Sequence, residues 1–104
     1  MSSLVLQDNT IGSTAQPNPW TSDWVEFLSE HRIKHQLVLS QDARLQDLGI
    51  KVIDKLPLFF ENAGDIKPAL LHGDLWSGNF ASSGGLPTVF DPACYYGHHE
   101  MEWG

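Results

Sequence analysis

Cysteine is almost absent from this 104-residue chain. Cys94 stands alone, so no internal disulfide can form, and a reducing compartment such as the cytoplasm is the expected setting. Cations are scarce as well. Six Lys and Arg face thirteen Asp and Glu, a formal net charge of −7, and the six are scattered along the chain. Phosphate backbones and anionic lipid repel such a surface, so neither a nucleic acid nor a membrane is an expected partner. No apolar run approaches the ~20 residues of a membrane span, and Met1 to Asn9 shows neither the basic start nor the apolar stretch of a signal peptide. Internal repeats and low-complexity tracts are missing too.

What is present fits one modest core. Hydrophobic residues make up 41% of the chain, an ordinary share for one folded domain. The ends look cut. "HHEMEWG" stops with Met101 and Trp103 set to continue an apolar pattern, and "DNTIGSTAQPNPW" is rich in residues that favour turns over regular structure. Residues 1–18 are therefore expected to be a linker, and the whole chain a fragment.

Between these ends the apolar spacing predicts two helices. Asn18 before Pro19 is a plausible helix start, and Trp20, Trp24, Phe27 and Leu28 recur at three and four, predicting a helix from about Pro19 to His35. After Ser40, a second apolar stripe runs through Leu45, Leu48, Val52, Ile53 and Leu56, with Asp42, Arg44, Lys51 and Lys55 outside it. Pro57 is expected to end or kink that helix. "ENAGDIKP" reads as a loop. Two short strands, Ala69 to Leu71 and Leu86 to Phe90 behind Gly84-Gly85, then bracket the stretch "HGDLWSGN".

That stretch carries the chemistry. Asp74 and Asn79 lie on one loop and Asp91 ends the next strand in "VFDPA". A carboxylate, an amide oxygen and a second carboxylate are hard oxygen donors of the kind Mg²⁺ accepts, with phosphates and waters completing its shell. Phosphoryl transfer asks little more of the protein than positioned groups of this kind: one Asp to orient and deprotonate the attacking hydroxyl, and an Asn and a second Asp to hold the metal. Each part also has a plainer explanation. A Gly-Asp pair is often only a turn, and Asp91 before Pro92 is suited to end a strand.

"HGDLWSGN" fits the His-Gly-Asp-x-x-x-x-Asn catalytic-loop pattern of the aminoglycoside phosphotransferase and choline kinase branch of the protein-kinase-like fold. Together with "NTIGSTAQPNPW", "DWVEFLSEHR", "PALLHGDLWSGN" and "FDPACYYGHHE", it resembles the fructosamine-3-kinase family, also called ketosamine or protein-ribulosamine 3-kinases. The resemblance runs from about Asn9 to Glu102. It implies an α+β fold: a partial kinase C-terminal lobe over residues 19–104, mainly helical, with a short β-hairpin carrying the catalytic loop and residues 1–18 as an interlobe segment. It makes Asp74 the catalytic base, Asn79 and Asp91 the Mg²⁺ ligands, and His72 with Gly73 the brace of the loop.

The implied reaction is ATP-dependent phosphorylation of the 3-hydroxyl of ketosamines on protein lysines or small amines, a deglycation step. Trp76 is a possible sugar-stacking residue, though aromatics so placed more often pack the loop. Glu100 and Glu102 fall where the family carries an acidic pair on the substrate side, with a loose fit at Glu102. The N-terminal lobe that clamps ATP, with its phosphate loop and strand lysine, has no counterpart before Asn9, and neither Lys34 nor Lys51 sits on a plausible strand. A missing N-terminus would leave room for a targeting signal, and the isolated chain is expected to be inactive. Two other assignments remain open. His72, Asp91, Cys94, His98 and His99 can be assembled into a zinc site, although no Cys-x-x-Cys or His-x-x-x-His spacing supports one. A truncated, non-catalytic protein would bind a partner through uncovered apolar surface, and Mg-ATP binding separates it from an enzyme.

Overall fold

The computed structural model describes residues 8–103, a small mixture of helices and paired short strands. Among the described residues it divides into two units, one of residues 19–66 and the other of residues 8–18 with 67–103. The first seven residues of the predicted linker lie outside the described residues.

The helical unit starts later than the Asn18-Pro19 signal predicts. Helix α1 spans Trp24–Leu28, and its cap is Asp23, whose carboxylate accepts from the Glu26 N–H at 2.7 Å. Glu26 reaches back in turn to the Ser22 hydroxyl at 2.6 Å, so the first turn is closed from both sides. A π-helical turn, Ser29–Ile33, joins α1 to α2, Lys34–Ser40. Asp42 caps α3, Ala43–Phe60, by accepting from the Leu45 N–H at 3.0 Å. Pro57 does not end this helix, which carries on to Phe60. Trp24, Phe27, Leu28, Leu37 and Leu56 form the buried apolar cluster, with Trp24 and Phe27 stacked at 5.9 Å and Arg32 over the Phe27 ring. Only part of the α3 stripe is buried. Leu56 and Gly49 face inward, while Leu45, Leu48 and Val52 are about half exposed.

The second unit holds six short strands in three antiparallel pairs. Strands β1 (Asn9–Ile11) and β2 (Thr14–Gln16) make a hairpin out of the turn-rich N-terminal stretch. β3 (Ala69–Leu71) pairs with β6 (Tyr95–Gly97), and β4 (Phe80–Ser83) pairs with β5 (Leu86–Val89) around Gly84 and Gly85, both at positive φ. The two strands that flank "HGDLWSGN" are therefore not partners. The Asp74 loop leaves β3 and enters the β4–β5 hairpin from outside, so the hairpin receives this loop at its open end and does not span it. Leu71, Ala93 and Tyr95 are the buried apolar residues of this unit, joined by buried Gln16, Asn18 and Asn79.

Candidate active site

Past Leu71 the chain leaves β3, and a hydrogen bond fixes each of the next three residues. The Glu102 carboxylate, on a 3₁₀ turn spanning His99–Trp103, accepts the His72 N–H at 2.6 Å and the Gly73 N–H at 3.1 Å. The Asp74 N–H donates to His72 Nδ1 at 3.2 Å. With Nδ1 accepting, the imidazole proton sits on Nε2, which donates to the Phe90 carbonyl at 2.7 Å. His72 thus braces two loops through one ring: the Asp74 backbone on one side and the residue before Asp91 on the other.

Gly73 allows the two segments to meet. Its φ is +88°, and a Cβ there would lie 2.1 Å from the Ala93 carbonyl oxygen, closer than any real contact. The Ala93 N–H returns the link by donating to the His72 carbonyl at 2.8 Å.

Asn79 ends a 3₁₀ turn, Ser77–Asn79, and is buried. Its Nδ2 donates to the Asp74 carbonyl at 2.9 Å and to the Asp74 Oδ2 at 3.1 Å. One carboxylate oxygen of Asp74 is so held, and the other is free to accept a proton. The register Phe80↔Val89, continued by the Phe90 N–H to the Asn79 carbonyl at 3.0 Å, sets Asn79 opposite Phe90 at the open end of the hairpin. Asp91 follows at once. It is exposed, and its φ of +57° is left-handed, a conformation that a non-glycine residue holds only where its surroundings impose it.

The donor types present, an amide oxygen and a carboxylate, are those that a hard divalent cation takes. With Nδ2 engaged on Asp74, the Oδ1 of Asn79 accepts no hydrogen bond among the described residues, and neither does the Asp91 carboxylate, so two hard oxygen donors stand uncommitted at one end of the hairpin. No group of three or more His, Cys, Asp or Glu comes together among the described residues. The zinc assembly of His72, Asp91, Cys94, His98 and His99 therefore finds no support there: His98 and His99 instead stack on each other at 4.9 Å.

Of the other predicted site residues, Trp76 is 59% exposed and folds its ring back over Gly78, where a Cβ would come within 2.3 Å of it. Glu100 is exposed, and its backbone N–H donates to His98 Nδ1 at 3.1 Å. The tighter contact with the loop falls to Glu102 instead. Sequence inspection also passed over Asn9, Gln16 and Asn18, whose side chains converge on the Ala93 and Cys94 carbonyls. The one available signal was three amide residues in a stretch otherwise made of turn formers.

Comparison with known proteins identifies the family. The fructosamine kinase family model matches residues 5–104. The chain is 52% identical over 102 residues to a chloroplastic protein-ribulosamine 3-kinase of Oryza sativa subsp. japonica, covering 93% of this chain and 30% of that protein. It is 42% identical over 95 residues to a ketosamine-3-kinase of Mus musculus, covering 88% of this chain and 30% of that protein. A crystal structure from Haemophilus somnus 129PT, assigned as a fructosamine-3-kinase, superposes with a TM-score of 0.73 at 30% identity, over 92% of this chain and 32% of that one. The chain spans about a third of the length of the relatives it matches, and a family match that takes in nearly all of its residues places it in the fructosamine kinase family.

Proposed function

We propose that this chain is the part of an ATP-dependent ketosamine 3-kinase that carries the catalytic base and the metal-side residues, within a kinase-like C-terminal lobe over residues 19–104 preceded by an interlobe segment. The supporting observation is the two-point hold of Asn79 on Asp74, which aims one carboxylate oxygen and leaves the other open. The acceptor is the 3-hydroxyl of a ketosamine on a protein lysine or small amine. As its oxygen bonds to the γ-phosphorus and ADP departs, the hydroxyl proton passes to the open oxygen of Asp74. His72 and Glu102 hold the loop in place during this transfer by fixing the backbone at residues 72–74. Asn79 Oδ1 and the Asp91 carboxylate are the groups that would hold Mg²⁺, which when bound neutralises charge on the phosphates.

The test uses a polypeptide of the relatives' length that carries these residues, assayed for phosphate transfer from ATP to a fructosamine or ribulosamine at varied Mg²⁺. Asp74→Asn keeps the size and removes the proton acceptor, so turnover should fall by about 10²- to 10⁴-fold. Asp91→Asn should lose activity that added Mg²⁺ partly restores, which the Asp74 variant should not regain. Near-parental turnover by Asp74→Asn removes Asp74 from the mechanism. A parent that fails to bind Mg-ATP points to a non-catalytic binding role instead.

A further inference from the structure

We propose that the side-chain amides of Asn9 and Gln16, supported by Asn18, are positioning residues for the Asp91 carboxylate. They act by gripping the two carbonyls that follow its left-handed turn. The inference rests on the kinase assignment above and adds the N-terminal hairpin to its machinery.

The grip is specific in direction. Asn9 Nδ2 donates to the Cys94 carbonyl at 2.7 Å, and Gln16 Nε2 donates to the Ala93 carbonyl at 3.0 Å. The amides also orient one another: Asn9 Oδ1 accepts from Gln16 Nε2 at 3.0 Å and from Asn18 Nδ2 at 3.1 Å, and Asn18 Nδ2 makes a longer contact to the Cys94 carbonyl at 3.5 Å. The Asn18 N–H in turn donates to the Asp8 carboxylate at 2.8 Å. Gln16 and Asn18 are 6% and 5% exposed. Burying amides is unfavourable unless their hydrogen bonds are met, and an apolar contact would fasten a hairpin with less exacting geometry. Their convergence on adjacent carbonyls, 76 to 85 residues away in sequence, points to a position that has to be exact.

That position is the return path from Asp91. On its near side the turn is fixed by the Phe90 N–H on Asn79 and by the Phe90 carbonyl on His72. On its far side the fixed points are the Ala93 N–H on His72 and the two gripped carbonyls. The Ala93 oxygen is wedged between Gln16 Nε2 and the bare face of Gly73. Without the amides, the far side would keep the Ala93 N–H on His72 and the β3–β6 pairing that begins at Tyr95, but the Ala93 and Cys94 carbonyls between them would be released. Asp91 would then be held less closely at φ +57° and its carboxylate would be less exactly placed.

The experiment uses Gln16→Met, which keeps length and removes the donor, and Asn9→Asp, which sets a carboxylate oxygen against the Cys94 carbonyl. Both are made in a polypeptide of the relatives' length, with Asp91→Asn as reference and Leu56→Ala, in the helical unit, as a purely destabilising control. Metal affinity is read by titrating Mn²⁺ and measuring the free ion by electron paramagnetic resonance, with Mg²⁺-dependent kinetics alongside, all well below each variant's melting temperature. Partners behind metal ligands typically affect affinity by 10- to 100-fold, and at one further remove about tenfold weaker Mn²⁺ binding is expected. The KM for ketosamine should not move, and kcat should recover at saturating Mg²⁺. Unchanged Mn²⁺ affinity in both variants, or a loss that Leu56→Ala reproduces, overturns the inference while leaving the kinase assignment intact. A parent that transfers no phosphate, or whose Mn²⁺ binding is indifferent to Asp91→Asn, overturns the assignment and the inference together.

Discussion

Glu102 takes two backbone N–H groups from the segment that delivers Asp74, and its charge makes those bonds stronger than neutral ones. A glutamine at 102 keeps one acceptor oxygen and turns an NH₂ group toward the second donor, so one of the two N–H groups loses its partner in a half-buried place. In a polypeptide of the relatives' length, Glu102→Gln should therefore destabilise the protein by about 1–3 kcal/mol in urea unfolding and lower turnover without raising the KM for ATP. Unchanged stability would show that the two N–H groups find other acceptors. The pairing of Asp74 with Asn79 is legible in the sequence because their spacing along one loop is itself the signal. Glu102 is not, since it acts on residues 29 and 30 positions earlier, and nothing local to "HEMEW" marks it as an anchor. Asn18 misleads for a related reason. Asn before Pro is a good local cap, but its amide is drawn to Asn9 and Cys94, and Asp23 caps the helix instead.

Helix α3 shows what periodicity carries and where it stops. The apolar stripe from Leu45 to Leu56 correctly predicts a helix and its apolar face, yet spacing says nothing about what covers that face. Leu56 is 7% exposed and belongs to the cluster around Trp24 and Phe27, whereas Leu48 is 52% exposed. In a polypeptide of the relatives' length, Leu56→Ala should cost about 2–4 kcal/mol by opening a cavity, read by chemical denaturation, whereas Leu48→Ala reports on cover from outside these residues and stays within about 0.5 kcal/mol only if that face is still exposed. Equal costs would mean that Leu48 is covered in solution. Pro57 was expected to end or kink α3. It has no N–H to give the Ile53 carbonyl one turn earlier, yet α3 continues past it to Phe60. Strands β3 and β5 were visible from composition, whereas β1, β2, β4 and β6, short and mostly without an apolar run, were not. Nor was the partner of β3, because β3 pairs with β6 across the whole β4–β5 hairpin, and such a non-local choice leaves no mark in either three-residue segment.

At the scale of the molecule, burial is thin. Eight hydrophobic side chains are buried, against seventeen large ones exposed among the described residues, and none of the largest is less than 2% exposed. Two units share those eight, and in the strand-bearing unit Gln16, Asn18 and Asn79 take up interior space that apolar groups would otherwise fill. Buried amides hold geometry well but add little net stability, and small domains bury a low fraction of their surface to begin with. The 104 residues by themselves should therefore unfold without a sharp cooperative transition, bind an apolar dye such as ANS in the absence of denaturant, and self-associate as concentration rises. Calorimetry, dye fluorescence and sedimentation velocity over a tenfold concentration range measure these three properties. Ketosamine phosphorylation by the isolated chain should be undetectable, because the proposed base and metal-side oxygens would not clamp ATP without a phosphate-binding lobe. In a polypeptide of the relatives' length the same residues should give one cooperative transition and little dye binding, since the exposed faces of α3 and β4–β5 would then be covered. A sharply melting, monodisperse monomer from the 104 residues alone would contradict this account.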